Sequence, residues 1–531
     1  MAEWWRGAVV YQIYPRSFLD TNADGIGDLA GVRRGLDYIA SLGVDAIWLS
    51  PFFKSPMKDY GYDVCDYRDV DPLFGTLAEF DAMLAEAHAR GLKVVIDQVW
   101  SHTSDQHPWF IESSSSRDNP RADWYVWADP KSDGTPPNNW LASFGGAAWS
   151  WSPRRRQYYL HNFLSEQPDL NFWNPVVQDA MLDIAKFWLD RGVDGFRLDV
   201  VNYYFHDRQL RDNPSADRNR IPRMATDMQF HRMDRSQPEN LAFIARLRAL
   251  MDSYGDKMTV GEIGDEPPLP RQQEYTEPPD RLHTAYSFFL LAGDPGTPGL
   301  FRAALESWAN ARGWPSWSLG NHDTTRYPTR MGHDDPRMAR ALLAALIAMR
   351  GTIFLYQGDE LGLPDAHVPF DRLKDPFAIA AYAGGPGRDG SRTPMPWTST
   401  APMGGFTAAG DAWLPMDPAH LPLSVESQEA DPESMLHLAR RLLACRKASA
   451  ALQTGAALPL TAPENVLAFE RVEGRERVYC YFELGGAPAV VESTELAHGC
   501  VRPLLMEDGA ALRDGCLELG PYASAIVRIR G

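Results

Sequence analysis

The chain has 531 residues, 44% of them hydrophobic, so it can bury a large core and exceeds the roughly 100 to 200 residues of one domain. A net charge of −18 argues against nucleic acid, which needs a clustered basic surface, and favours a neutral or cationic ligand. No stretch reaches the about 20 uninterrupted apolar residues of a membrane span. The first residues lack a basic and then apolar signal pattern, and Cys65, Cys445, Cys480, Cys500 and Cys516 show no CxxC spacing, so a reducing, cytoplasmic setting is expected. The 11% aromatic content suits stacking on sugar faces as well as core packing.

Strand and helix patterns alternate along the chain. Residues 8–14 read as a first strand, with a helix over 29–42 after it. Residues 44–49 and 93–99 make the second and third strands, and Thr76 and Glu79 stand in capping-box spacing at the start of the helix between them. Asn174-Pro175 opens a helix with Val177, Met181, Ile184 and Trp188 on one face. That helix leads into the fourth strand, whose Val193, Phe196, Leu198 and Val200 suit a barrel interior while Arg197 and Asp199 stand at its end. Further strands are expected at 258–262, 283–289, 316–319 and 352–356, with helices at 241–251, 300–309, 337–349 and 435–445. Eight such pairs predict an α/β fold, a (β/α)8 TIM barrel.

Two regions break the alternation. Residues 104–170 lack a clean strand and helix pair and are too long for a bare loop, which predicts a small irregular domain inserted after strand three. From 449 to 531 short alternating runs predict an all-β domain, a C-terminal β-sandwich. The barrel then comprises 1–103 and 171–448, with a long Gly- and Pro-rich loop over 363–413.

The carboxylates gather where a barrel places its chemistry, at the C-terminal strand ends. Asp199 ends strand four, Glu262 strand five and Asp323 strand seven, while Asp97 and His102 close strand three. An Arg197–Asp199 ion pair that merely pins a strand end is the plainer alternative. Glycosidic cleavage needs one carboxylate to attack or to activate water, and one protonated carboxyl to release the leaving oxygen; this set supplies both, with an acid to spare. Arg197 is expected to hold Asp199 ionised, and an apolar strand end to keep Glu262 protonated.

In their order and wording these strand ends resemble the signature regions of the α-amylase superfamily of retaining glycoside hydrolases. Gln167-Pro168-Asp169-Leu170-Asn171, Tyr60-Gly61-Tyr62-Asp63 and Gly390-Ser391-Arg392-Thr393-Pro394-Met395-Pro396-Trp397 are similar to motifs of its α-glucosidase and oligo-1,6-glucosidase branch. The resemblance spans most of residues 4–400. It implies Asp199 as nucleophile, Glu262 as general acid and base, and Asp323 as the acid that grips sugar hydroxyls. It further implies that Tyr62, His102, Phe144, Phe163, Gln167, Arg197 and His322 shape the substrate pocket, with Asp59 and Arg392 paired across its floor.

Asp20-Thr21-Asn22-Ala23-Asp24-Gly25-Ile26-Gly27-Asp28 alternates oxygen ligands like the start of a calcium loop, but Gly31 stands where an EF-hand has its bidentate Glu. The resemblance implies a structural Ca²⁺ or Mg²⁺ held by Asp20, Asn22, Asp24, the Ile26 carbonyl and Asp28; a polar turn before a helix is the alternative. No organic cofactor is expected. The activity implied is hydrolysis of small α-glucosides from the non-reducing end, with transfer to alcohol or sugar acceptors. Val200 resembles the α-1,6-acting members, whereas Leu198 and Ile263-Gly264-Asp265 do not, and the balance leans to α-1,4 bonds. A sucrose-directed isomerase or hydrolase, and a catalytically dead carbohydrate-binding scaffold, are the competing readings.

Overall fold

A computed structural model describes residues 3–216, 219, 224–293, 295–380, 387–400 and 402–530. Eight strands, β1 (Val9–Ile13), β2 (Ala46–Leu49), β3 (Lys93–Gln98), β4 (Gly195–Leu198), β5 (Met258–Ile263), β6 (Thr284–Ser287), β7 (Ser316–Trp317) and β8 (Thr352–Tyr356), form one sheet in the order β6-β5-β4-β3-β2-β1-β8-β7. Every ladder in it is parallel. The ring closes between β6 and β7 through a parallel bridge from Ala285 to Pro315. This is the expected barrel, and helices cover its outside.

The strand period of two decides what fills it. Val10, Ala46, Trp48, Val95, Met258, Val260, Tyr286 and Phe354 pack together along the axis, while Val9, Tyr11, Ile13, Ile47 and Ile96 join the larger core under the helices. Strand four departs from expectation: Phe196 and Leu198 belong to that outer core. Arg197 takes the inward place, its guanidinium 5.0 Å from the Trp48 ring centre and fully buried. An inward arginine has to find acids there, because a buried charge is tolerated only when paired.

The helix Pro175–Asp190 starts at Asn174, whose side chain accepts from the Val176 amide, and buries Val177, Met181, Ile184 and Trp188 as its spacing requires. Thr76 caps the helix Leu77–Ala89 through the Glu79 amide. The helix expected over 29–42 is broken into Leu29–Arg34 and Leu36–Leu42 at Gly35. The Phe18 ring packs there so closely that a Cβ would lie 2.4 Å from it.

Residues 104–170 are more regular than their sequence suggests. They hold a helix, Pro108–Ser115, and an antiparallel sheet of Trp127–Ala128, Gln157–Leu160 and Trp149–Ser152. Strands of two to four residues are too short for alternation to show. Beyond the helix Met435–Lys447, a five-stranded and a three-stranded antiparallel sheet share one core, with Val466, Tyr481 and Val527 meeting Val491, Leu517 and Leu519. Cysteines 65, 445, 480, 500 and 516 are all free. Among the described residues no helix is long and apolar enough to cross a membrane.

Candidate active site

The site is built on Arg197. Its Nη1 lies 2.8 Å from Asp97 Oδ1 and 2.7 Å from Asp199 Oδ1, its Nη2 lies 2.7 Å from Glu262 Oε2, and its Nε donates to Tyr286 Oη at 3.0 Å. Backbone register brings these groups together: Arg197 is paired across the sheet with Asp97 on β3 and Val260 on β5, two residues before Glu262. Tyr286 donates to Glu262 Oε1 at 3.2 Å and the Val200 amide to Oε2 at 3.1 Å. The carboxyl of Glu262 therefore meets polar donors, not the apolar setting that its strand suggests.

One guanidinium serves three acids, and the electrostatics follow. Burial pushes Asp97 up to about 6 although Arg197 draws it down. Burial also raises Asp199 well above the usual carboxylate range; Arg197 opposes this, and Glu262 and Asp97 add to it. Arg197 thus favours the ionised Asp199 as expected, against desolvation and the neighbouring acids. Its pull is divided, while desolvation acts on each acid in full.

Asp323 has the opposite surroundings. It follows β7, with its amide donating to Asn321 Oδ1 at 2.9 Å. Burial alone would raise its carboxyl, yet its neighbours hold it below the usual range. Arg388 Nη1 and Arg392 Nη2 reach its Oδ1 at 3.1 and 2.8 Å, and His322 Nε2 lies 3.1 Å from Oδ2. Burial lowers His322 to about 3 although Asp323 draws it up, and His322, Arg388, Arg392 and Arg197 together hold Asp323 down.

Tyr62 stacks on His322 with ring centres 5.3 Å apart and bonds its Nε2 at 2.6 Å. Gln12 Nε2 lies 2.8 Å from His322 Nδ1, which makes Nδ1 the acceptor and leaves the proton on Nε2. His102, lowered by burial to about 4, donates from Nε2 to the Tyr62 carbonyl at 2.9 Å. Gln167 reaches the same carbonyl and Asp59 Oδ2, each at 3.3 Å, and Phe163 lies 5.2 Å from the His102 ring.

Of the expected residues, Asp59, Tyr62, His102, Phe144, Phe163, Gln167, Asp199, Glu262 and Asp323 line one cavity of about 210 Å³. Arg197, His322 and Arg392 are not in its lining. The sequence reading missed Phe288, Phe377 and Arg388, which do line it. The floor pair is a correction: Asp59 pairs with Arg388 at 2.9 Å, while Arg392 bonds the His322 carbonyl at 2.6 Å and Asp323. Arg388 also pairs with the buried Asp375 at 2.7 Å. Asp389 shapes this loop by accepting from the amides of Lys374 and Asp375. The signal lay in the sequence, since Arg388 is four residues before Arg392, but only contact geometry says which arginine meets which acid.

A family model for the alpha amylase catalytic domain matches residues 12–455. The chain belongs to this family. It is a glycoside hydrolase. Among its relatives a probable alpha-glucosidase of Rhizobium meliloti (strain 1021) is 52% identical over 502 residues, covering 92% of this chain and 91% of the relative. An oligo-1,6-glucosidase of Parageobacillus thermoglucosidasius is 38% identical over 479 residues, 84% of each chain. The crystal structure of the alpha-glucosyl transfer enzyme XgtA covers 100% of both chains, with 50% identity and a TM-score of 0.95.

The loop expected to hold a metal is elsewhere in the fold, and none of its residues lines the catalytic cavity. Asp20 Oδ1 accepts from the Asn22 and Ala23 amides and Oδ2 from Gly25 and Thr407. Asp24 accepts from the Ile26 amide, and Asp28 from Thr21 and Gly31.

Proposed function

We propose that the enzyme is a retaining, exo-acting α-glucosidase that takes single glucose units from the non-reducing end of small α-glucosides such as maltose and passes them to water or to alcohols. The observation that carries this reading is the cross-link in the cavity wall, where Arg388 ties Asp59 to Asp323 and Asp375. A charge-assisted cross-link there bars a longer glucan from passing through. A volume of about 210 Å³ lies below the roughly 300 Å³ at which ligand pockets usually begin, which favours one sugar ring over a chain.

Asp199 attacks the anomeric carbon as the bond to the leaving oxygen breaks, and Glu262 gives that oxygen its proton. Glucose is then an ester of Asp199. Glu262, now a carboxylate, takes a proton from water or an alcohol whose oxygen attacks the same carbon and frees Asp199. Two inversions return the α configuration, which calls for the two carboxyls about 5 to 5.5 Å apart. Their shared contact with Arg197 supports so short a separation. Asp323, held ionised, takes the sugar hydroxyls. Phe144, Phe163, Phe288 and Phe377 give an aromatic acceptor rings to pack on, which supports transfer to phenols as well as hydrolysis.

NMR of the first glucose released from maltose tests this reading, and β-glucose would overturn retention. Isomaltose turned over faster than maltose would move the specificity to α-1,6 bonds, and faster sucrose turnover would favour the isomerase-like reading. Inactivity on all three would favour the non-catalytic scaffold. Rapid loss of starch viscosity would deny that the cross-link bars longer chains, and free glucose as sole product with excess phenol would remove transfer.

A structural Ca²⁺ or Mg²⁺ at Asp20, Asn22, Asp24, the Ile26 carbonyl and Asp28 is part of the same proposal, supported by an all-oxygen donor set suited to hard cations. Among the described residues no three His, Cys, Asp or Glu side chains converge as a metal would need, so the set relies on Asn22 and the Ile26 carbonyl. Asp28 would exchange its bonds to Thr21 for the cation. Such an ion would fix the loop and take no part in the chemistry. Chelation should then lower the melting temperature of the metal-loaded protein, and an unchanged curve would remove the site.

A further inference from the structure

Val200, next to Asp199, has φ 34° and ψ 50°. Among the described residues it is the only β-branched one with positive φ, a conformation such side chains resist and that persists only where its surroundings impose it. The surroundings do so on every side. The Asp199 amide donates to the Gln98 carbonyl at 3.0 Å and the Tyr203 amide to the Val200 carbonyl at 2.8 Å. Asn240 holds the Val201 carbonyl at 2.7 Å, and Asn202 clamps Gly264 through both its amide and its carbonyl. The result of the strain is one contact: the Val200 N–H meets Glu262 Oε2 at 3.1 Å, across from the loop that Asn202 clamps.

We infer that the left-handed Val200 backbone is a positioning device, whose N–H holds Glu262 by Oε2 so that Oε1 faces the leaving oxygen with its proton. This rests on the reading of Glu262 as acid and base. Arg197 also binds Oε2, while Oε1 has Tyr286 alone, 3.2 Å away. Arg197 Nη2 makes an ion pair with Oε2 but no hydrogen bond, so the directed donors are the Val200 N–H on Oε2 and the Tyr286 hydroxyl on Oε1, and together they fix the carboxyl plane that the ion pair alone would leave free to turn. The strain of the turn is thus kept for an N–H that no side chain supplies, and Val200 acts through Glu262.

The test replaces only the N–H, by incorporating the α-hydroxy analogue of valine at position 200 so that the amide becomes an ester. Loss of this one hydrogen bond should lower kcat/KM on maltose about fivefold to tenfold. On p-nitrophenyl α-glucoside, whose leaving group departs with little help from an acid, the loss should stay under about threefold. Equal losses on both substrates, or none, would overturn the inference. Val200→Gly should melt above Val200→Ala, the reverse of the usual order, and the usual order would show that the turn is not strained. Glu262→Gln separates the two ideas: undiminished maltose turnover in that variant would remove the acid–base reading itself.

Discussion

Two groups of charges beside the cavity have inverse composition. At Arg197 one cation meets three carboxylates, Asp97, Asp199 and Glu262; at Asp323 one carboxylate meets two cations, Arg388 and Arg392. Both lie in buried surroundings, so desolvation acts against charge in each. The ratio of partners decides the outcome. Asp97 and Asp199 are pushed up and Asp323 is held down. Burial and crowding by other acids thus favour the neutral forms of Asp97 and Asp199, and the cation-rich side keeps a fixed negative charge on Asp323 for binding.

The largest effect should come from the acid-rich side. Asp199→Ala and Glu262→Gln should each lower kcat on maltose by about 10⁴-fold or more, with circular dichroism unchanged. If Asp323→Ala alone showed such a loss while they kept their activity, the division of labour would be reversed.

Removing the single cation comes next. Arg197→Met leaves three buried carboxylates without their partner, and breaking a buried pair in this way costs about 3–5 kcal/mol. Urea denaturation should show that loss. Arg388→Ala leaves Asp323 with Arg392 but strips the Arg388 ion pair from the buried Asp59 and Asp375, so its stability cost should be of the same order. A cost under about 1 kcal/mol in either variant would mean that these buried pairs are not what holds the site together.

Within the cation-rich side the two arginines should differ. Arg388 lines the cavity and cross-links Asp59, whereas Arg392 stands behind and bonds the His322 carbonyl. Arg388→Ala should raise KM for maltose about tenfold and raise starch turnover relative to maltose, from the loss of a charged hydrogen bond. Arg392→Ala should weaken binding of the terminal glucose less. Steady-state kinetics on both substrates decides the order.

The smallest effect is a slope. The folded value of Asp97, about 6, lies above its ordinary 3.8, so its contribution to stability is complete below about 3.8 and is lost as pH rises through about 6. Asp323 has the opposite sign: its contribution is present above the ordinary value and lost as pH falls through its depressed one. In Asp97→Asn the fall in stability from about pH 4 to 6 should flatten, by up to about 1.4 kcal/mol per pH unit. Melting temperatures at steps of pH in parent and variant measure this, and parallel curves would contradict it.

By itself the sequence determined the barrel, because β-branched runs and amphipathic helices in alternation leave few other ways to bury both. That Asp199, Glu262 and Asp323 meet at one cavity was legible too, since acids at the C-terminal ends of barrel strands emerge on the same face. Two- to four-residue strands after β3 left no periodic trace, and the inward turn of Arg197 was hidden because period two is satisfied whichever face is chosen. Pairing Asp59 with Arg388 was decided by the tertiary structure alone. Two arginines four residues apart on one loop are equivalent to any local rule, and only the path of the chain around Asp375 and Asp389 sends one to the cavity and the other behind it. The protonation of the acids was likewise undecided in the sequence, because it depends on how many charges share one buried guanidinium, and that number exists only once the strands are in register.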